Sequence, residues 1–206
     1  MQSIPLGDPV KTTWLLIILF SFFACGCSDQ PDPPRQDAAS RPEPAASFQN
    51  TEAVYDAALQ GDIGTVGAYL DRGFGVDRAD ADQRSLLMLA AFNGHTELCR
   101  LLIEKGADVN ARDAGGSTPL MFASTGPFVE TVQLLLKSGA DPNLVDTGEH
   151  FTALMHAAAE GQMEVVEALL KRGADKTKKD ADQDTAEAFA RQKGHGSVAD
   201  YIRNYK

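Results

Sequence analysis

The chain has 206 residues, 29 of them acidic against 19 basic, for a formal net charge of −10 and a pI of about 4.8. That balance argues against a nucleic-acid partner, because phosphate affinity rests on neutralisation by Lys and Arg. It argues equally against docking of the body onto anionic lipid, and it serves to keep an exported protein soluble.

The first element in chain order is a leader. Residues 11–27 read KTTWLLIILFSFFACGC: Lys11, an apolar run from Trp14 to Ala24, then small residues and cysteine. A membrane-spanning helix needs about 20 apolar residues, so this run is too short to span and suits the core of a signal peptide. Its ending, Ala24-Cys25-Gly26-Cys27-Ser28, resembles the lipobox of bacterial lipoproteins. The resemblance implies cleavage before a cysteine that carries diacylglycerol and commonly a palmitate. Gly26 at −1, Ala24 at −3 and Ser28 at +2 favour Cys27 as that cysteine; Cys25, with Phe22 at −3, is the alternative. A lipidated Cys27 followed by serine implies a protein held at the bacterial envelope and facing the periplasm, on the outer membrane in preference to the inner.

Residues 28–48 (SDQPDPPRQDAASRPEPAASF) are rich in Pro, Ala and acidic or amide groups and lack the apolar content to fold. Extended at roughly 3 Å per residue, such a segment reaches on the order of 60 Å. It reads as a disordered tether between residues 1–27 and a domain over residues 49–206.

That domain repeats itself. Residues 84–108, 117–141 and 151–175 are copies of one pattern, residues 51–75 are a worn copy, and residues 184–202 are a fragment of a fifth. The units start near Glu52, Ser85, Thr118, Thr152 and Thr185, so the period is 33 residues with one step of 34. A fixed period of this size means a solenoid of stacked units. Within a unit, a short apolar run such as Leu86 to Ala91 predicts a first helix, ended at Gly94 or its equivalents Gly61, Gly161 and Gly194. A second helix opens at His95-Thr96-Glu97 and carries Leu98, Cys99, Leu102 and Ile103 as one apolar stripe. Gly106, Gly139 and Gly173 stand where a left-handed C-terminal cap belongs, and Asp-rich turn residues follow. The paired alanines (Ala57-Ala58, Ala90-Ala91, Ala157-Ala158) let neighbouring helices approach closely.

Thr118-Pro119-Leu120, Gly94-His95 and Gly106-Ala107-Asp108-Val109-Asn110 are the sharpest matches to a known signature, and through them the pattern resembles the ankyrin repeat. The resemblance covers residues 50–203 and implies an all-α ankyrin-repeat solenoid of helix-turn-helix units with projecting hairpin loops. Three departures are expected to matter. Pro127-Phe128 replaces Gly-His and stiffens one inter-helix turn; one extra residue in Thr147 to His150 lengthens one hairpin; and Asp56 and Glu187 put polarity where the middle units are apolar. Polar outer faces are what terminal units require, and Glu187 with Arg191 forms an i, i+4 pair in the favourable order.

Little in the domain calls for chemistry. Cys99 lies on the buried stripe and reads as a small core hydrophobe. His95 and His195 occupy the Gly-His slot, a structural hydrogen-bonding position in ankyrin repeats; His156 reads as packed between units, and His150 is free on a hairpin. No His or Cys has metal-ligand spacing, and neither a phosphate loop nor a nucleophile elbow is present, so no cofactor, metal or catalytic role is expected. The acidic turns Asp80-Ala81-Asp82-Gln83 and Asp180-Ala181-Asp182-Gln183 have carboxylates suited to calcium, but they supply only part of a coordination shell and read as turn chemistry.

What remains is a surface. Ankyrin proteins bind partners through hairpin tips and the exposed ends of first helices. The resemblance therefore implies that Asp82, Arg84, Phe92, Asn93, Ser117, Thr125, His150, Phe151, Glu160, Asp182, Asp184, Gln192 and Lys193 line the contact. Phe92 and Phe151 are the aromatic anchors of that set, with packing beneath the lengthened hairpin as the other reading of Phe151. The expectation is a monomeric, non-catalytic array that binds another protein and is tied to a membrane through an N-terminal lipid. Scaffolding of an envelope enzyme, neutralisation of a toxin as an immunity protein, and secretion as an effector remain open.

Overall fold

The computed structural model describes residues 51–206, which fall within one compact unit of residues 42–206. The leader, Cys25, Cys27 and the 28–48 tether lie outside the described residues. Five helix pairs follow one another: α1 (Glu52–Gln60) with α2 (Ile63–Asp71), α3 (Leu86–Phe92) with α4 (Thr96–Glu104), α5 (Pro119–Ser124) with α6 (Val129–Lys137), α7 (Ala153–Ala159) with α8 (Met163–Lys171), and α9 (Ala186–Gln192) with α10 (Gly196–Asn204). The fifth unit is thus a whole helix pair rather than a fragment; its apolar pattern is diluted by Glu187, Arg191 and Lys193, which hid its length. Odd-numbered helices pack on their odd-numbered neighbours and even on even, giving two parallel layers with the core between them.

Local chemistry sets these boundaries. The first helices of units two to five start at Ser85, Thr118, Thr152 and Thr185, whose hydroxyls accept from the backbone N–H groups of Met88, Met121, Met155 and Ala188 at 3.2–3.4 Å. Each such cap is worth about 1 kcal/mol. Second helices end on Gly73, Gly106, Gly139 and Gly173 with φ of +90°, +92°, +95° and +85°, a conformation open to glycine and costly for others. The next residue then donates its N–H back into the last turn, as Ala107 does to the Leu102 carbonyl at 3.0 Å, closing a Schellman motif. The same closure ends most first helices, with Gly61, Gly94, Gly161 and Gly194 left-handed.

The third unit departs as its sequence predicts. Its inter-helix turn, Gly126-Pro127-Phe128, contains no left-handed residue, and the hydroxyls of Ser124 and Thr125 instead donate to the carbonyls of Leu120 and Phe122. The ring in the histidine slot of one unit lies over the glycine of the unit before it. A Cβ on Gly61 would stand 2.5 Å from His95 Nδ1, one on Gly161 2.5 Å from His195 Nδ1, and one on Gly94 2.2 Å from the Phe128 ring.

Units are also stitched edge to edge. Asn110 donates to the Gly139 carbonyl and accepts from the Asp141 N–H, and Asn143 repeats the clamp one unit on with Gly173 and Asp175. Cys99 is fully buried, and burial pushes its thiol up to about 12, which leaves it an inert part of the core. Among the described residues no helix is long and apolar enough to cross a membrane.

Candidate partner-binding surface

Each hairpin that precedes a first helix is closed by one aspartate. The N–H groups of Asp80, Asp113, Asp146 and Asp180 donate to the carbonyls of Arg84, Ser117, Phe151 and Asp184. Their carboxylates accept in return from the N–H groups of the same four residues, at 2.8, 2.7, 3.2 and 2.7 Å. These carboxylates are therefore spent inside their own turns. Among the described residues no group of three or more His, Cys, Asp or Glu side chains is placed to share a metal ion. At the tips Gln83, Gly116, His150 and Gln183 all take positive φ, so the exposed His150 serves first as a turn residue.

The expected contact residues fall into two groups and a remainder. At the N-terminal end Asp82 and Arg84 form an ion pair at 3.1 Å, and Arg84 also holds Asp80 at 2.8 Å. Next to them Phe92, 45% exposed, stands edge-on to Phe122 with ring centroids 6.1 Å apart. Asp80, Arg84, Phe92 and Phe122, with Tyr55, Leu59 and Leu89, line a groove of about 210 Å³ on the face built by α1, α3 and α5, and Asp82 lies in the hollow beside it. At the C-terminal end Phe151, Glu160 and Lys193 line a second hollow of about 260 Å³ together with Met155, His156 and Phe189.

Phe151 is not a free anchor. Its ring is half-buried, edge-on to Phe189 at 5.1 Å and to His156 at 5.5 Å, so it packs between units four and five. Burial also lowers the pKa of His156, against the opposing pull of Asp146 and Glu160. Asn93 lies outside the groove's lining and is engaged elsewhere. Its amide donates to the Leu59 carbonyl at 2.7 Å, beside His95 Nε2 at 2.9 Å on the same oxygen, so it clamps unit two to unit one. Ser117 and Thr125 are half-buried and bonded within their own unit. Asp184 accepts at 2.8 Å from Gln192, the last residue of α9, and Asp182 is exposed at its tip.

Sequence reasoning put Asp56 on a polar outer face but left it, with Phe122 and Phe189, out of the contact set. All three occupy the column four residues after the unit's start, where Leu89 is only 6% exposed. That one buried leucine makes the column look inward-facing, although its aromatic members in units three and five gave a readable signal.

Residues 54–146 and 128–206 match the family model described as ankyrin repeats (3 copies). The chain belongs to the ankyrin-repeat family. Ankyrin repeats mediate binding to other proteins, and ankyrin-repeat proteins are generally non-catalytic interaction modules. No curated protein matches the chain.

Proposed function

We propose that this ankyrin array is a non-catalytic interaction module, lipid-tethered at Cys27 in the bacterial envelope, where it scaffolds or regulates a periplasmic protein. The observation that carries the binding role is Phe92: a large aromatic side chain left 45% exposed, seated edge-on on a second aromatic at the rim of an apolar groove. Aromatic side chains so placed dominate interface energies. The tether supports the location, since a Pro-rich segment of this length holds the array near a membrane without pressing its acidic body onto the lipid.

The test has two arms. The full chain, used as bait in envelope extract, recovers a partner that is lost with the Phe92→Ala, Phe189→Ala double variant; recovery of the same proteins by both would remove the surface from this role. Palmitate labelling in a lipoprotein-processing host disappears in Cys27→Ser and persists in Cys25→Ser. Persistence in Cys27→Ser with loss in Cys25→Ser moves the anchor, and no labelling of either form sinks it.

A further inference from the structure

We infer that the N-terminal groove takes a basic–apolar segment of the partner, meaning one apolar side chain of Leu or Phe size flanked by Lys or Arg. The inference rests on the interaction-module reading and gives the partner a chemistry. Its first support is where apolar surface is left open. Among the described residues the large hydrophobics more than a third exposed are Leu59, Ile63 and Phe92, and two of these three line this one groove. Exposed apolar surface gathered at a concavity marks a contact.

The second support is charge. Glu52 and Asp56 stand four apart on α1, on one helix face, both exposed and without an ion pair among the described residues. Like charges so spaced repel. The nearby cations are already committed: Arg84 to Asp80 and Asp82, and Arg78 over the Phe74 ring at 5.2 Å. Asp56 lines both the apolar groove and the acidic hollow of about 470 Å³ beside it, together with Tyr55, Asp80 and the ion-paired Arg84, so the two adjoin along these residues. A ligand filling the groove with an apolar side chain lays its neighbouring residues over Glu52 and Asp56. Complementarity then selects Lys or Arg at those neighbours and rejects Asp or Glu. The C-terminal hollow differs, for its lining holds Lys193 as well as Glu160 and its aromatic rings pack on one another.

The probe is a fluorescein-labelled peptide, Ser-Gly-Lys-Leu-Lys-Phe-Lys-Gly-Ser, titrated against the full chain and followed by anisotropy. Replacing its lysines by glutamate weakens binding roughly tenfold, and raised salt weakens the lysine form alone. Replacing its Leu and Phe by serine has an effect of roughly the same size. On the protein, Phe92→Ala weakens the probe roughly fivefold, Asp56→Lys removes the preference for lysine over glutamate, and Ile63→Ala, outside the groove, changes nothing. Circular dichroism confirms that each variant is folded. Equal binding of the lysine and glutamate peptides, no effect of Asp56→Lys, or no binding of any peptide overturns the inference. Envelope capture separates the two levels. Capture abolished by the phenylalanine variants but untouched by Asp56→Lys overturns the basic segment and leaves the module standing. Absence of any partner, with the lysine peptide still bound, overturns the module and leaves the groove's preference.

Discussion

Among the described residues the first and fifth units each pack on a single neighbouring unit, and their outer faces differ. At the C-terminal end the ammonium of Lys176 donates to the carbonyls of Ile202, Arg203 and Tyr205, covering the last turn of α10. Arg191 and Arg203 bridge Glu187 and Asp200 across α9 and α10, so the polarity expected of a terminal unit is organised into a lattice. The N-terminal end has polarity in Asp56 but also leaves Leu59 and Ile63 exposed, and α2 carries Gly64 and Gly67 and buries only Val66 fully. Glycine within a helix costs roughly 0.5–1 kcal/mol against alanine. One end is built for stability; the other gives up burial beside the groove proposed to take a ligand.

The strongest test of that contrast uses the same residue at both ends. Ile202 is 1% exposed in α10 and Ile63 is 43% exposed in α2. Urea denaturation followed by circular dichroism should show Ile202→Ala losing about 2–5 kcal/mol and Ile63→Ala losing less than about 1 kcal/mol. Comparable losses would erase the distinction between the ends. Next in size is Lys176→Met, which strips three carbonyls of a charged donor and is expected to cost about 1–3 kcal/mol. Hydrogen exchange should speed up in α10 and stay unchanged in α1.

Acidification gives a smaller effect with a definite sign. Burial depresses the pKa of His156 in the folded chain, so below the ordinary histidine pKa the unfolded chain binds more protons. Stability therefore falls as pH drops from 7 towards 5, and the fall is shallower in His156→Gln. The carboxylates of Asp62 and Asp175, held below the usual range mainly by hydrogen bonds from Thr65 and Thr177, lose their contribution only at lower pH. A slope unchanged in His156→Gln would assign the pH dependence elsewhere. The smallest effect concerns Tyr55, whose hydroxyl is buried without a hydrogen-bond partner among the described residues. Tyr55→Phe should leave stability unchanged or raise it by up to about 1 kcal/mol, and a loss above that would show the hydroxyl to be bonded.

The fold was legible because repeats enforce one pattern many times. Thr118-Pro119-Leu120, the Gly94-His95 step and the Gly106 cap each report a local backbone requirement, and the period multiplies the signal. The extra residue before Phe151 and the Pro127-Phe128 turn could be read for the same reason, as departures from a known register. The candidate surface was less legible. Phe92 stands out, but Asn93 looks equally available until its amide is seen bonded to the Leu59 carbonyl of the unit before. Phe151 looks exposed until α9 brings Phe189 against it. Exposure at these positions depends on the adjoining unit, which the single-unit pattern does not contain. Phe122 was hidden by the reverse error, since the buried Leu89 stood for its whole column.

The rings stacked over glycines carry a consequence for ancestry and engineering. A solenoid is often treated as beads that can be shuffled, duplicated or deleted at will. Here Phe128 and Gly94 belong to different beads yet form one lock, because a side chain at position 94 would collide with the ring. The third unit can thus follow only a unit that ends its first helix in glycine, and its own Pro127 cannot offer the same seat to a copy of itself. Tandem duplication of this bead by recombination would set Phe128 over a proline. Growth of the array by that route is blocked at its centre, and a designer lengthening it must splice at another seam.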